Sequence, residues 1–167
     1  DSGARVVVVL SRLYPQVAEA ANGTGVERIV VTNVKEHFPT ALRVLFTAVR
    51  ERKEGHRVDI SGDPRAMWLK EMLIERSARV AVEDAPSDLA VLQYTGGATG
   101  VPKGAMLSHR ALVANVHQCQ AWHASVRPGD RILAIMPFFH VYGLTVVMNL
   151  ATLRAMTMVL IPRPDLK

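Results

Sequence analysis

The chain has 167 residues, which is enough for one globular domain with a sizeable core. Of these, 49% are apolar, as is ordinary for a soluble α/β protein, and no apolar run reaches the ~20 residues of a membrane span. A single cysteine, Cys119, excludes an intrachain disulfide, so we expect a cytoplasmic protein. The net charge of +5 favours anionic ligands or an anionic membrane surface. Nucleic acid is disfavoured, because aromatic residues are few and no recognition motif is present.

The first predicted elements form a β-α-β unit. Residues Arg5–Leu10 are a β-branched run typical of a strand buried on both faces. Ser11 is a suitable N-cap for a helix over 12–21, which Asn22-Gly23 would end. A second run, Val26–Val31, predicts another strand, parallel to the first with a right-handed crossover.

The segment 38–57 is predicted to contain a basic amphipathic helix, with Pro39 in its first turn and Gly55 just past its end. Cations dominate its C-terminal part, where they complement the helix dipole. The segment either packs on its own domain or rests on acidic lipid as an interfacial helix. The predicted apolar face comprises Phe38, Ala41, Leu42, Leu45, Ala48 and Val49.

A further helix is predicted from Asp63-Pro64, with Asp63 as its cap and Pro64 at its first position. Its side chains would pack in the core. The predicted apolar side comprises Met67, Trp68, Met72 and Leu73.

The most informative stretch is Tyr94–Gly104, which holds four glycines and a proline within eleven positions. It follows an apolar run, Leu89–Tyr94, that predicts a buried strand, and it precedes a helical pattern. Glycines let backbone N–H groups converge on an anion. Thr95, Thr99 and Lys103 add two hydroxyl donors and a positive charge. The composition therefore favours polyphosphate binding.

Two common phosphate loops do not fit this stretch. A Walker loop needs Gly-Lys-Ser/Thr, whereas Lys103 lies between a proline and a glycine, which argues against a P-loop NTPase. The dinucleotide fingerprint fails as well, because Gly97 and Gly100 supply only its later spacing.

The stretch instead resembles the phosphate-binding signature of the adenylate-forming superfamily, Tyr-Thr-Ser-Gly-Thr-Thr-Gly-x-Pro-Lys-Gly. Gly96 replaces the serine, as is usual in bacterial long-chain fatty acyl-CoA synthetases. Ala98 replaces a threonine and removes one hydroxyl that could touch a phosphate or its magnesium. The resemblance implies an ATP phosphate-binding set of Thr95, Gly96, Gly97, Ala98, Thr99, Gly100 and Lys103.

Ser108 is predicted to cap a helix that ends near Ala124. Its inner stripe is predicted to be Leu112, Val116, Cys119 and Trp122. His117, Cys119 and His123 do not share one helical face, which favours a structural role over a metal site.

A second family signature, Pro-x-x-His-x-x-Gly, matches Pro137–Gly143, between a predicted strand over 131–136 and a predicted helix over 144–153. A final strand is predicted over 155–161. The resemblance places His140 beside the substrate carboxylate. It implies an acyl and adenylate pocket formed by Phe138, Phe139, His140, Tyr142 and Gly143.

The resemblance implies an intact enzyme that joins a fatty acid to CoA using ATP and Mg²⁺, through an acyl-adenylate. The other family motifs are absent, so we expect neither a complete catalytic set nor a complete metal site. The 167 residues would then be an inactive interior fragment of the N-terminal domain, without the C-terminal lysine-bearing domain. Its parts would be a β-α-β unit (1–33), a helical insertion (34–85) and the phosphate-loop and acyl-pocket portion (86–167).

The fold is expected to be α/β, with a mainly parallel, incomplete sheet and flanking helices. Its open sheet edges favour pairing with a second copy of the chain. Two alternatives for the function remain. The acid could be aromatic, branched or an amino acid, or the chain could be a non-catalytic module that binds nucleotide or lipid.

Overall fold

The computed structural model describes residues 2–74, 85–96 and 103–161. The chain divides into two compact units, Asp1–Val80 and Ala81–Lys167. Both contain strands flanked by helices, and two of the three sheets are parallel, which confirms the predicted α/β class. The three-part division at 33/34 and 85/86 stays a prediction.

Unit 1 is built on a three-stranded parallel sheet in the order β1-β2-β3. β1 is Val6–Leu10, β2 is Arg28–Thr32 and β3 is Ala66–Trp68. The first two strands form because their β-branched residues suit a pleated surface. The predicted burial of the first strand on both faces is wrong for the described residues, since Val6 and Val8 of β1 are 56% and 64% exposed. The helix α1, Tyr14–Ala20, connects them and ends before Gly23, whose φ of +72° favours glycine. The core of the unit comprises Val9, Tyr14, Ala21, Ile29 and Val31.

Several local predictions for unit 1 are wrong. Ser11 does not cap α1, because it lies in a 3-10 turn, Ser11–Leu13, and its fully buried hydroxyl bonds to His56 instead. Ala66–Trp68 is not helical, since pairing with β2 takes these residues into the sheet. A shorter helix, α3, covers Leu69–Ile74. Its side chains Met72 and Leu73 were predicted to pack in the core, but they are 42% and 74% exposed. Asp63 accepts hydrogen bonds from the backbone and guanidinium of Arg65.

The predicted helix exists but is shorter: α2 covers Thr40–Val49, after a 3-10 turn at Val34–His37. The cations predicted for its C-terminal part follow the helix, and its last turn contains no basic residue. Its buried residue is Phe46, which makes edge-on contacts with the rings of Phe38 and His56 at centroid distances of 5.5 and 5.7 Å. Most of the predicted apolar face does not pack on the described residues. Among the described residues, Leu42, Leu45 and Val49 remain more than half exposed.

A buried polar network lies at the carboxyl end of β2. The Asn33 amide donates to the Glu51 carboxylate at 3.1 Å and to the His56 carbonyl at 3.2 Å. Lys35 forms an ion pair with Glu51. The His56 Nδ1 lies 2.9 Å from the Ser11 hydroxyl, and burial lowers the pKa of His56. These hydrogen bonds compensate the polar groups for their loss of water.

Unit 2 begins with an antiparallel hairpin of β4, Leu89–Thr95, and β5, Lys103–Ser108. The strand predicted over Leu89–Tyr94 exists but is not buried, since Leu89 and Tyr94 are 48% and 49% exposed. The glycine-rich loop therefore joins two strands, whereas strand, loop and helix in direct succession were predicted. The helix α4, His109–Trp122, follows immediately. As predicted, Ser108 caps it, and the serine hydroxyl accepts from the Ala111 N–H at 3.2 Å.

The rest of unit 2 contains a parallel pair, β6 (Arg131–Ala134) and β7 (Thr157–Leu160). Between them run a π-helix, Gly143–Asn149, and α5, Leu150–Leu153. Their inward side chains, together with Val116 of α4 and Ala134 of β6, are the buried residues of this unit. They include Thr145, Val147, Leu150 and Ala151. Trp122 was predicted to face inward but is 86% exposed.

No helix in the described parts of the chain combines the length and apolar character needed to cross a membrane.

Candidate functional site

The glycine-rich loop is closed at its base by the β4-β5 hairpin. Thr95 and Lys103 are the last pair in its register, and the Thr95 hydroxyl lies 3.5 Å from the Lys103 carbonyl oxygen. The hairpin therefore brings the first and last members of the predicted phosphate-binding set together. The predicted members Gly97, Ala98, Thr99 and Gly100 lie outside the described residues.

The described members of this set are open to solvent. Thr95, Gly96 and Lys103 are all exposed. A Cβ placed on Gly96 would meet no atom of the described residues within 4 Å. Within the residues that the structure describes, the Lys103 ammonium forms no salt bridge. The phosphate-binding roles of Thr95, Gly96 and Lys103 stay predictions.

The second predicted loop, Pro137–Gly143, shows why its last position is glycine. A Cβ on Gly143 would lie 2.2 Å from the Pro137 carbonyl oxygen and 2.8 Å from its carbonyl carbon. The loop folds back so tightly that only a residue without a side chain fits there. The π-helix begins at this residue, and π-helices are frequent at functional sites.

Three hydrogen bonds determine the setting of His140. Its N–H donates to the Pro137 carbonyl at 3.0 Å, and its carbonyl accepts from the Leu144 N–H at 2.9 Å. Its Nδ1 accepts from the Tyr142 N–H at 3.2 Å. A backbone amide can only donate, so Nδ1 must carry a lone pair, and the proton of the neutral ring lies on Nε2. His140 can therefore donate a hydrogen bond from Nε2 to an oxygen of a ligand.

The aromatic residues of the predicted pocket present apolar surface. Phe139 is 82% exposed and Tyr142 is 52% exposed, whereas Phe138 is half-buried and Gly143 is buried. Exposed rings beside a histidine suit a ligand with an apolar body and a polar end. Their assignment to an acyl and adenylate pocket stays a prediction.

One residue that sequence reasoning missed connects the two loops. Gln93 lies in β4, two residues before Thr95, and its Nε2 donates to the Phe139 carbonyl at 3.1 Å. The strand that leads into the glycine-rich loop is thereby tied to the residue before His140. The signal in the sequence was a single amide side chain in an otherwise apolar run, Leu89-Ala-Val-Leu-Gln.

In the described ranges, no group of three or more His, Cys, Asp or Glu side chains is arranged to hold a metal ion. His117 is exposed on α4, and Cys119 is half-buried there.

Comparison with known proteins identifies the relatives of this chain. The AMP-binding enzyme family matches residues 1–167. The chain is 36% identical to a long-chain-fatty-acid–CoA ligase of Bacillus subtilis (strain 168) over 99% of its own length and 30% of that protein. It is 34% identical to the ligase of the same name from Haemophilus influenzae, over 98% of the chain and 30% of the relative. The chain thus spans about 30% of the length of these curated relatives.

Solved structures show the same fold. The inhibitor-bound N-terminal domain of FACL13 from Mycobacterium tuberculosis matches 96% of the chain, which spans 38% of that structure, at 27% identity and a TM-score of 0.54. A red-emitting luciferase from Phrixothrix hirtus matches 99% of the chain, which spans 29% of that structure, with a TM-score of 0.62. At 17% identity, the luciferase supports the fold alone.

The two loop signatures, the full-length family match and the relatives at 34–36% identity agree. The chain belongs to the AMP-binding enzyme family, the adenylate-forming superfamily, and forms part of its N-terminal domain.

Proposed function

We propose that the intact protein is an AMP-forming ligase that activates a long-chain fatty acid with ATP and transfers it to CoA. The single observation that carries this proposal is the arrangement of the hairpin. It closes the glycine-rich loop between Thr95 and Lys103, and Gln93 joins the same strand to the His140 loop. The two loops that would bind the polyphosphate and the carboxylate are thus attached to the same strand. The relatives' names support a fatty acid as the substrate.

The proposed reaction has two steps. An oxygen of the fatty carboxylate attacks the α-phosphorus of ATP, and the bond to pyrophosphate breaks. The CoA thiolate then attacks the acyl carbonyl carbon, and AMP leaves. No general base is needed in the first step, because the carboxylate is already ionised. Catalysis would come from alignment and from neutralising phosphate charge.

The chain's own residues have distinct parts in this proposal. Lys103 and the amides of the glycine-rich loop would bind the leaving pyrophosphate. The His140 Nε2–H would donate to a carboxylate oxygen and orient it, and Phe138, Phe139 and Tyr142 would contact the acyl chain. Mg²⁺ bound together with ATP would help to neutralise the phosphate charge.

Acid-dependent exchange of pyrophosphate into ATP, measured on the intact protein, tests this function. We expect exchange with palmitate, and none with benzoate, isobutyrate or leucine. Faster exchange with one of the other acids would support a different ligase of the family. No exchange with any acid, together with binding of ATP or palmitate in calorimetry, would support the non-catalytic module. The 167 residues alone, about 30% of the length of the relatives, should complete neither step.

A second proposal is peripheral contact of α2 with an anionic membrane surface. Leu42, Leu45 and Val49 lie on one helical face and are 53–61% exposed. Exposed cations lie within this helix and in the residues that follow it, whereas Glu51 is buried against Lys35. The exposed cations are Arg43, Arg50, Arg52, Lys53 and Arg57. Apolar insertion beside basic residues is the pattern of an interfacial helix.

Vesicle co-sedimentation of the intact protein tests this contact. We expect binding to phosphatidylserine vesicles and not to phosphatidylcholine vesicles, with loss of binding in Leu45→Glu. Val44→Glu is the matched control, because Val44 is 64% exposed on a different face of α2. Equal loss in both variants would show that only charge matters. Binding by the 167 residues but not by the intact protein would mean that the rest of the protein covers the stripe.

The edge strands of unit 1, β1 and β3, offer a surface for pairing with a second copy, and self-association is also proposed. Sedimentation equilibrium of the intact protein would test it, and a monomer at all concentrations would refute it.

A further inference from the structure

The His140 loop satisfies its backbone groups mostly within itself. The His140 N–H, the His140 carbonyl and Nδ1 all bond to residues of the 137–144 segment. The Phe139 carbonyl is different. In the described residues, its hydrogen bond comes from Gln93, which is 46 residues earlier in the chain. This bond is therefore the tertiary constraint that acts directly beside His140.

The amide of Gln93 has one favourable orientation. Its Nε2 lies 3.1 Å from the Phe139 carbonyl oxygen and 3.4 Å from the Tyr94 carbonyl oxygen. Both neighbours can only accept, whereas an amide nitrogen carries two donor hydrogens. Reversing the amide would place its oxygen against two carbonyl oxygens. The side chain thus works here as a donor, and a carboxylate of the same shape could not replace it.

Gln93 also relates the loop to the glycine-rich hairpin. Residues i and i+2 of a strand point to the same face, so Gln93 and Thr95 share one face of β4. Thr95 closes the base of the glycine-rich loop with Lys103. A shift of the Gln93 side chain therefore changes the position of the Phe139-His140 peptide relative to the strand end that leads into this loop.

We propose that Gln93 is a positioning residue: its hydrogen bond to the Phe139 carbonyl sets the place and direction of the His140 Nε2–H relative to the phosphate-binding end of β4. This role rests on the proposed function, in which His140 orients the acyl carboxylate. The bond itself is independent of any ligand, so it can be tested separately from the reaction.

The first test is nuclear magnetic resonance of the 167-residue chain. Wild type should show one His140 tautomer, with the proton on Nε2. Gln93→Glu keeps the shape but loses the donor, and it should give a mixture of tautomers. The Tyr142 amide, which bonds to Nδ1, should exchange with solvent about two- to tenfold faster, the factor corresponding to a net hydrogen bond of ~0.5–1.5 kcal/mol.

Two further variants keep this test decisive. Gln118→Glu adds the same charge on the exposed side of α4, where Gln118 accepts from Asn115 at 3.2 Å and a carboxylate would still accept. It should behave as wild type. If Gln93→Glu does not fold, Gln93→Met removes the donor without adding a charge. Unchanged His140 tautomer and Tyr142 exchange in a folded Gln93 variant would overturn the proposal.

The second test is kinetic and uses the intact protein. Gln93→Glu should raise the KM for palmitate about tenfold and leave the KM for ATP within about twofold, since a carboxylate-orienting hydrogen bond is worth ~1.4 kcal/mol. A rise in the KM for ATP alone would refute coupling to His140. Wild-type protein without exchange activity, but with the expected resonance changes, would refute the proposed function and leave the positioning role standing. Exchange activity of the wild type, without the expected resonance changes in the Gln93 variants, would support the proposed function and refute the positioning role.

Discussion

Replacing Gly143 by alanine tests the geometry of the His140 loop most directly. The added Cβ would lie 2.2 Å from the Pro137 carbonyl oxygen and 3.0 Å from the Met136 carbonyl oxygen. To reach even 3.0 Å, the Pro137 oxygen would have to move by 0.8 Å, the difference between the two distances. This oxygen also accepts the hydrogen bond from the His140 N–H, so relief of the clash disturbs His140 itself.

The expected magnitude follows from what must move. Overpacked substitutions cost about 1–3 kcal/mol, and we expect about 3 kcal/mol here because the clashing atoms belong to the backbone. For a chain of this size the melting temperature should fall by roughly 6–12 °C, at about 2–4 °C per kcal/mol. Thermal and urea unfolding of the 167 residues would measure both quantities. In the intact protein, palmitate-dependent pyrophosphate exchange should fall as well.

The matched control is Gly96→Ala, whose unfolding free energy is measured in the absence of nucleotide. Among the residues that the structure describes, its Cβ would meet no atom within 4 Å, so the unfolding free energy should change by less than about 0.5 kcal/mol. If Gly143→Ala were as stable as this control, the tight fold-back of the Pro137–Gly143 loop would be wrong.

The remaining predictions concern a ligand and two titrating groups. In the intact protein, Lys103→Ala should weaken ATP-dependent pyrophosphate exchange by an amount equivalent to ~1–3 kcal/mol, the value of a charge-assisted hydrogen bond. The control variant Lys70→Ala should not weaken it. Equal exchange in the two variants would refute the role of Lys103. Burial lowers the pKa of His56, so the free energy of unfolding of the wild type should fall as pH falls through about 6.5 toward the lower pKa of the folded state. His56→Gln should lack this loss. Urea unfolding of both proteins from pH 7 to 5 measures it, and an equal loss of stability in the two would contradict the reasoning. Hydrogen bonds from Arg65 lower the pKa of Asp63, so this carboxylate stabilises the fold above about pH 3.9. Asp63→Asn should lower the free energy of unfolding by about 1 kcal/mol at pH 7. If the difference between the two proteins persisted at pH 2, its origin would not be ionic.

Sequence reasoning succeeded where the signal is local. The β-branched runs at β1 and β2 predict strands because these side chains suit a pleated, buried surface. Ser108 predicts the start of α4 because its hydroxyl meets an N–H only three residues away. The two loop signatures are contiguous, so they indicated the family before any contact was known.

Sequence reasoning failed where the partner is distant. β3 is three residues long, and its apolar spacing fits a helix equally well; pairing with β2 decides the matter. Residues after the glycine-rich loop form a strand because they meet β4 in register. In α2, Phe46 is buried instead of the predicted apolar face, because the rings of Phe38 and His56 contact Phe46.

The sequence by itself determined the family, the two loops and the residue types available for an anion and a carboxylate. Only the tertiary structure decided how the loops are held: the Thr95–Lys103 pair closes one, and Gln93 ties the other to the same strand. The reason is that a hydrogen bond between residues 46 positions apart depends on how the chain folds. No local propensity encodes it.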